Sequence, residues 1–119
     1  MSTFTVQVTL MHPEHRERSV ALDLLVDTGA FYTLLPAEIV AQLELSTPEA
    51  RAVEFANGER AVYRVGEVRV QLGDSQRTTV FFAGPPGCHA LLGAFMLEGF
   101  GLAADPVHQR LVPIPTLLV

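Results

Sequence analysis

Apolar and polar residues alternate along the first part of the chain, which is typical of half-buried β-strands. Residues 4–10 place Phe, Val, Val and Leu at every second position, with Thr or Gln between them, and this period of two predicts a strand. A polar, Pro-containing turn follows at residues 12–15. The alternation returns at Val20 and runs into Leu25-Val26. We therefore predict a hairpin of two strands, the second of which ends at Asp27.

The middle of the chain predicts one short helix and a second hairpin. Thr33-Leu34-Leu35-Pro36 leads into residues 37–43, where apolar positions recur at helical spacing. Further on, Asn57-Gly58 separates two strand-like runs at residues 52–55 and 61–65. An Asn-Gly pair between two such runs is the strongest local signal for a tight hairpin turn.

The second half of the chain contains further short strand patterns, separated by Gly and Pro. Turn composition marks breaks at Gly73-Asp74-Ser75, at residues 84–87 and at Asp105-Pro106. A short helix is predicted at residues 94–98. No repeat or linker divides the chain, so we predict a single mostly β domain over residues 1–119 with one or two short helices. The predicted strands span residues 68–72, 78–83, 90–92, 102–104 and 110–114.

Composition and charge argue against several kinds of site. The 119 residues carry a net charge of −5, and all eight basic residues are arginines scattered along the chain. A nucleic-acid surface needs a basic patch, so we expect no nucleic-acid partner. Cys88 is the only cysteine, which excludes an intrachain disulfide and a cysteine-based zinc site. The four histidines fall in predicted turns without metal-ligand spacing, so we expect neither a metal nor another cofactor.

The sequence predicts neither a secretory signal nor a membrane span. Its first residues lack a basic stretch followed by an apolar one. The most apolar stretch, residues 90–104, contains Glu98 and several glycines and is too short to span a bilayer. We therefore expect a soluble protein of a reducing compartment, the cytoplasm, without a membrane partner.

The candidate chemistry lies where the second predicted strand ends. In Leu24-Leu25-Val26-Asp27-Thr28-Gly29-Ala30, a carboxylic acid comes directly after an apolar strand and directly before a glycine turn. A rigid strand followed by a sharp bend can hold an acid in a fixed direction. The same tripeptide also fits an ordinary Asp-x-Gly turn and occurs by chance in some chains of this length. On these residues alone, a catalytic and a purely structural Asp27 both remain open.

Three features, taken in order, resemble the retroviral-type (retropepsin-like) aspartic proteases, and the compact single-domain bacterial-type members in particular. The first is Asp27-Thr28-Gly29-Ala30 after an apolar pair, and the second is the hairpin centred on Asn57-Gly58, where the family has its flap. The third is Leu91-Leu92-Gly93 before a short helix. The resemblance implies a closed β-barrel-like acid protease fold that forms half of a two-fold symmetric dimer.

The resemblance also implies which residues form the site. Asp27, Thr28 and Gly29 would supply the catalytic half-site, without a metal. A peptide or protein substrate would contact the floor of the site and the flap, through residues that we predict to be Ala30, Phe55, Ala56, Asn57, Gly58, Tyr63 and Leu92.

This chain departs from the viral members at two positions. Those proteins commonly carry an acidic residue soon after the Gly-Ala pair and an Arg after the hydrophobic-Gly element, and the two pair to brace the dimer. The corresponding positions here hold Phe31 and Ala94. Because both partners are absent together, no charge is left unpaired, and we predict a different dimer interface.

The mechanism of such proteases needs two carboxylates that share one proton. Of the four aspartates, only Asp27 precedes Thr-Gly or Ser-Gly, so the second carboxylate must come from another chain. We predict an aspartic endopeptidase, active as a homodimer, that hydrolyses peptide bonds with a water activated between two Asp27 carboxylates. Residues 4–10 and 111–119 are candidate interface strands. The alternative is a non-catalytic dimerisation or peptide-binding module on the same fold.

Overall fold

The computed structural model describes residues 3–27, 29–115 and 118 of the chain. This part of the chain is mostly β, as predicted, and neither of its short helices is long and apolar enough to cross a membrane. The strands are β1 (Thr3–Met11), β2 (Ser19–Asp27), β3 (Thr33–Pro36), β4 (Glu49–Glu54), β5 (Arg60–Leu72), β6 (Ser75–Gly84), β7 (Leu91–Leu92), β8 (Leu102–Asp105) and β9 (Arg110–Pro113), and the helices are α1 (Ala37–Gln42) and α2 (Ala94–Gly99).

Six strands close into a ring, which confirms the predicted barrel-like fold. Their order is β1-β2-β7-β3-β6-β5, and the ring closes because β5 also pairs with β1 at Thr9–Met11. β1 and β2 form the predicted antiparallel hairpin over their whole length. β4 lies outside the ring and pairs with the first residues of β5, which forms the predicted second hairpin. β8 and β9 make a separate two-stranded sheet.

The interior of the barrel is filled by the apolar residues that alternate along the strands. Successive side chains of a strand point to opposite faces, so Val8 and Leu10 of β1 are buried together with Leu24 and Val26 of β2. The α2 helix adds further apolar side chains to this interior. The core cluster consists of Val8, Leu10, Leu24, Val26, Leu35, Leu43, Leu45, Val68, Val70, Phe81, Leu92, Met96 and Leu97.

The prediction of two separate strands at residues 61–65 and 68–72 is wrong, because β5 runs unbroken through Gly66. This glycine does not end the strand. The backbone carbonyl of Ser46 and the ring of Phe81 pack where a Cβ would stand, so the glycine permits a close approach of two chain segments.

A second difference concerns Thr33–Pro36, which the sequence suggested only as a lead-in to a helix. These residues form β3, which pairs in parallel with β6 and antiparallel with β7. Four residues that end in a proline are too few for strand periodicity to be recognised. The strand matters for the site, since it carries the chain away from Asp27 back into the sheet.

The two segments predicted as interface strands have different surroundings. β1 is bonded to β2 throughout and to β5 at Thr9–Met11, so residues 3–8 have one edge without a strand partner in the described part of the chain. β9 pairs with β8, and Leu118 near the chain end is exposed. Leu117 and Val119, which belong to the same prediction, lie outside the described residues.

Candidate active site

Asp27 is the last residue of β2 and begins a tight turn. The backbone N–H of Gly29 donates to the Asp27 carboxylate oxygen Oδ1 at 2.9 Å. The N–H of Ala30 donates to the Asp27 carbonyl oxygen at 3.0 Å. An aspartate side chain that accepts a hydrogen bond from the backbone N–H two residues further on is held in one orientation by that bond. The predicted half-site member Thr28 lies outside the described residues.

The short strand β7 holds the end of β2 in place. Leu25 and Val26 pair in parallel with Leu91 and Leu92, and the Leu25 N–H donates to the Ala90 carbonyl at 2.9 Å. The sequence element Leu91-Leu92-Gly93 therefore lies directly beside the strand that carries Asp27. Sheet pairing with β7, in addition to the turn after β2, therefore holds the Asp27 carboxylate in position.

The start of α2 holds the loop that follows Asp27. The N–H groups of Ala94 and Phe95 donate to the carbonyl oxygens of Ala30 and Phe31 at 3.1 and 2.9 Å. The first N–H groups of a helix have no partner within the helix, and here the loop carbonyls accept two of them. The contact requires glycine at position 93, because a Cβ there would collide with the backbone of Phe31 and Tyr32.

Thr33 is a supporting residue that the sequence analysis missed. Its side chain is fully buried, and its hydroxyl oxygen accepts a hydrogen bond from the Gly93 N–H at 3.3 Å. The hydroxyl also lies 3.9 Å from the sulfur of Met96. A buried hydroxyl needs a hydrogen-bond partner. A threonine inside an apolar run was therefore the sequence signal that could have indicated this supporting role. Thr33 ties β3 to the turn between β7 and α2.

The β4–β5 hairpin and the loop after Asp27 enclose a groove of about 230 Å³. Three predicted substrate-binding residues, Ala30, Phe55 and Tyr63, line this groove together. The rings of Phe55 and Tyr63 meet edge to face with centroids 6.1 Å apart. Most of the remaining lining is apolar, with Glu54 at the edge of the hairpin. The groove therefore offers mostly apolar side chains to a ligand.

The other predicted substrate residues take different positions. Ala56, Asn57 and Gly58 are exposed at the tip of the hairpin. The Asn57 side-chain oxygen accepts the Glu59 N–H at 2.9 Å. Leu92 is fully buried in the core and is not among the residues that line the groove. Leu92 pairs with Val26, the residue before Asp27, and its direct contact with a substrate stays a prediction.

Arg51 and the aromatic residues near it were also missed from the sequence. The guanidinium of Arg51 on β4 lies over the rings of Tyr32 and Phe82, 5.9 and 5.5 Å from their centroids. Cations are attracted to the faces of aromatic rings at such distances. Arg51 thereby connects the hairpin to the loop that follows Asp27. Its role depends on a contact between distant segments, which no local pattern indicates.

Asp27 is not among the residues that line the groove, and it lines a separate cavity of about 230 Å³. Ala94 and Glu98 of α2 share this cavity with it, as do Leu102 and Ile114 near the β8–β9 hairpin. Asp27 is half-buried, so part of this residue is open to solvent. The turn, the helix start and the C-terminal hairpin thus surround one carboxylate.

The remaining aspartates lie elsewhere in the fold. Asp23 is exposed on β2, and Asp74 is exposed in the turn between β5 and β6. Asp105 at the end of β8 accepts the N–H groups of Val107 and His108. The side-chain hydrogen bond with His108 holds the pKa of Asp105 below its ordinary value, and the backbone N–H of His108 contributes. Within the described residues, no three His, Cys, Asp or Glu side chains are grouped to hold a metal ion.

Comparison with protein families agrees with this arrangement. The family described as "gag-polyprotein putative aspartyl protease" matches residues 18–99, which is more than half of the chain. The match spans β2 through α2 and so includes the Asp27 turn, the β4–β5 hairpin and Leu91-Leu92-Gly93. A comparison with curated proteins found no match. The chain belongs to the gag-polyprotein family of aspartyl proteases, of the retropepsin type.

Proposed function

We propose that this protein is an aspartic endopeptidase that acts as a homodimer, with Asp27 of each chain forming the catalytic pair. The observation that carries the proposal is the fixed Asp27 carboxylate, held at the end of β2 by the Gly29 N–H and beside a groove that suits a peptide. Family membership gives the reaction class. The need for two carboxylates gives the dimer, because the other aspartates of the chain lie elsewhere in the fold.

The reaction needs two carboxylates that share one proton, since two carboxyl groups about 3 Å apart cannot both be ionised. The ionised Asp27 takes a proton from a water between the two side chains, and the water oxygen bonds to the scissile carbonyl carbon. The protonated Asp27 donates its proton to the carbonyl oxygen. Collapse of the tetrahedral intermediate breaks the C–N bond, and the leaving nitrogen receives a proton from the pair. The pair titrates as a unit.

The substrate would lie as an extended strand between the β4–β5 hairpin and the loop after Asp27. Backbone groups at a sheet edge can bind an extended peptide, while pockets select its alternate side chains. Ala30, Phe55 and Tyr63, which line the groove together, would form such a pocket. The exposed hairpin tip, with Asn57-Gly58, would close over the peptide as a flap.

The alternative is a peptide-binding module without catalysis, which would use the same groove and in which Asp27 would have no catalytic role. A matched pair of variants separates the two readings. Asp27→Asn removes the proposed acid, whereas Asp23→Asn removes an exposed aspartate from the same strand. The assay follows cleavage of a mixed peptide library by mass spectrometry across pH.

We expect the wild type and Asp23→Asn to cleave with a bell-shaped or acid-favouring pH profile, and Asp27→Asn to lose at least about a hundredfold in rate. Circular dichroism checks that both variants fold. Cleavage retained by a folded Asp27→Asn variant would refute the catalytic role. Peptide binding without any cleavage by the wild type would favour the binding module.

A further inference from the structure

We propose that Arg51 is a positioning residue, which pins the β4–β5 hairpin beside the groove and so determines how tightly the groove binds a peptide. The inference rests on the proposed function, because it concerns the groove assigned there to the substrate. It goes beyond that function by identifying the side chain that holds the hairpin in place and the kind of contact that it makes, a cation over two aromatic rings.

Arg51 lies where the hairpin leaves the barrel. β6 pairs with residues 64–72 of β5, whereas residues 60–63 of β5 pair with β4. In this outer part of the hairpin, Arg51 stands opposite Tyr63. In the part of the chain that the structure describes, β4 pairs with β5 alone. Strand pairing therefore ties the hairpin to the barrel only up to this point, and side chains must hold the rest.

The side chain of Arg51 lies on the face of the hairpin that borders the groove. Residues that stand directly opposite each other in an antiparallel pair share a face of the sheet, and so do residues two apart on one strand. Arg51 therefore shares its face with Tyr63 and Val53, both of which line the groove. Arg51 itself is not among the lining residues, so its substitution leaves the walls of the groove intact.

The guanidinium of Arg51 reaches from the hairpin to the wall of the groove that the barrel forms. It lies 5.9 Å from the ring centroid of Tyr32 and 5.5 Å from that of Phe82, and these two rings are 5.1 Å apart. Both rings line the groove. On the hairpin side, Nη2 of Arg51 lies 3.3 Å from the Glu49 carboxylate of the same strand. Arg51 thus bridges the two walls at the base of the hairpin.

This contact acts on peptide binding and not on the chemical step. Within the described residues, the Arg51 guanidinium contacts Glu49, Tyr32 and Phe82 and not Asp27. A peptide that binds beside a hairpin already in place does not have to immobilise that hairpin as well, and its binding costs less entropy. Loss of the contact should therefore weaken peptide binding and leave kcat nearly unchanged. Because the Arg51 side chain is 44% exposed, the effect is that of a partly solvated cation–π contact.

The test compares Arg51→Gln, which removes the cation, with Arg51→Lys, which keeps a cation on a long side chain. Arg16→Gln is the matched control, because Arg16 is an exposed arginine in the turn between β1 and β2. The probe is the peptide of the mixed library that the wild type retains most tightly. Its dissociation constant is measured by titration calorimetry, with each substitution placed in the Asp27→Asn background. Hydrogen exchange of backbone amides in the peptide-free chain, followed by mass spectrometry, measures how firmly the hairpin is held.

We expect Arg51→Gln to raise the dissociation constant about three- to tenfold. Exchange in residues 51–63 should become at least about threefold faster, with no change along β1 and β2. Arg51→Lys should recover part of the affinity, and Arg16→Gln should match the chain with both arginines. When Asp27 is present, kcat of Arg51→Gln should stay within about twofold of the wild type. Thermal unfolding establishes that each variant folds.

The outcomes separate this inference from the proposed function. Unchanged affinity in a folded Arg51→Gln variant, together with cleavage by the wild type, would overturn the role of Arg51 and leave the proposed function standing. Weaker binding and faster exchange in Arg51→Gln, in a protein whose wild type cleaves no peptide, would support the role of Arg51 and overturn the proposed function. A change in only one of affinity and exchange, or a large loss of kcat, would also overturn the inference. A wild type that binds no peptide of the library contradicts both.

Discussion

At the scale of single residues, the position of Asp27 depends on neighbours that carry no catalytic group. Gly93 allows the start of α2 to approach the loop, and Thr33 accepts the Gly93 N–H from below. The loop carbonyls of Ala30 and Phe31 then bind the first N–H groups of the helix. The carboxylate is thus placed by backbone contacts that a single side chain at position 93 would disrupt.

Gly93→Ala should therefore destabilise the protein and lower its activity together. The added Cβ would overlap with the backbone of Phe31 and Tyr32, and overpacking of this kind costs about 1–3 kcal/mol. Gly99→Ala is the control, because a Cβ on Gly99 meets no atom within 4 Å. Chemical denaturation and peptide cleavage measure the two effects. Equal stability and activity of Gly93→Ala and the wild type would show that the contact does not position the loop.

The sequence allows the prediction of features that a local pattern indicates. Asp27 was visible as an acid between an apolar strand and a glycine, and Asn57-Gly58 as a hairpin turn. Thr33 and Arg51 were missed, because their partners are distant in the sequence. The sequence also did not indicate that Leu92 is fully buried in the core, because a run of apolar residues does not show which side chains of the strand face the core.

At the scale of secondary structure, the β8–β9 hairpin supports the cavity behind Asp27. Its turn is organised by Asp105, whose Oδ1 accepts two backbone N–H groups and whose Oδ2 lies 2.8 Å from His108 Nδ1. The sequence predicted this hairpin from the Asp105-Pro106 turn composition. It did not predict that β5 continues through Gly66, because packing against Ser46 and not local propensity decides the role of that glycine.

The Asp105 turn gives the hairpin a definite response to pH. The folded-state pKa of Asp105 lies below its ordinary value, chiefly through the His108 side chain. A depressed pKa means that the carboxylate stabilises the fold above its unfolded-state pKa of about 3.9. This stabilisation is lost as the pH falls through the folded-state pKa.

Asp105→Asn should consequently unfold at a lower temperature than the wild type at neutral pH, and the two curves should converge as the pH falls below about 4. Asp74→Asn removes the same charge from another exposed turn and serves as the control. Thermal unfolding followed by circular dichroism over a pH series gives the comparison. A difference between wild type and Asp105→Asn that does not depend on pH would contradict the assigned role of the carboxylate.

At the scale of the whole molecule, one barrel carries one Asp27 turn and, beside that turn, a mostly apolar groove of about 230 Å³. The closed ring leaves the β4–β5 hairpin and the Asp27 loop on either side of the groove. The barrel fold could be predicted from the sequence because apolar and polar residues alternate along its strands, whereas the catalytic half-site stays a prediction. The pairing of two chains depends on exposed side chains, which leave little periodicity in a sequence.

We predict that each working site takes one Asp27 from each of two chains. A direct test mixes the wild type with increasing amounts of Asp27→Asn, under conditions that allow the chains to exchange. Cleavage per wild-type chain is measured at each ratio. Because mixed dimers hold a single Asp27, random pairing predicts that an equal mixture falls to about half of the original activity and that further variant lowers it in proportion. Activity per wild-type chain that stays constant at every ratio would show that one chain suffices, and would contradict the account.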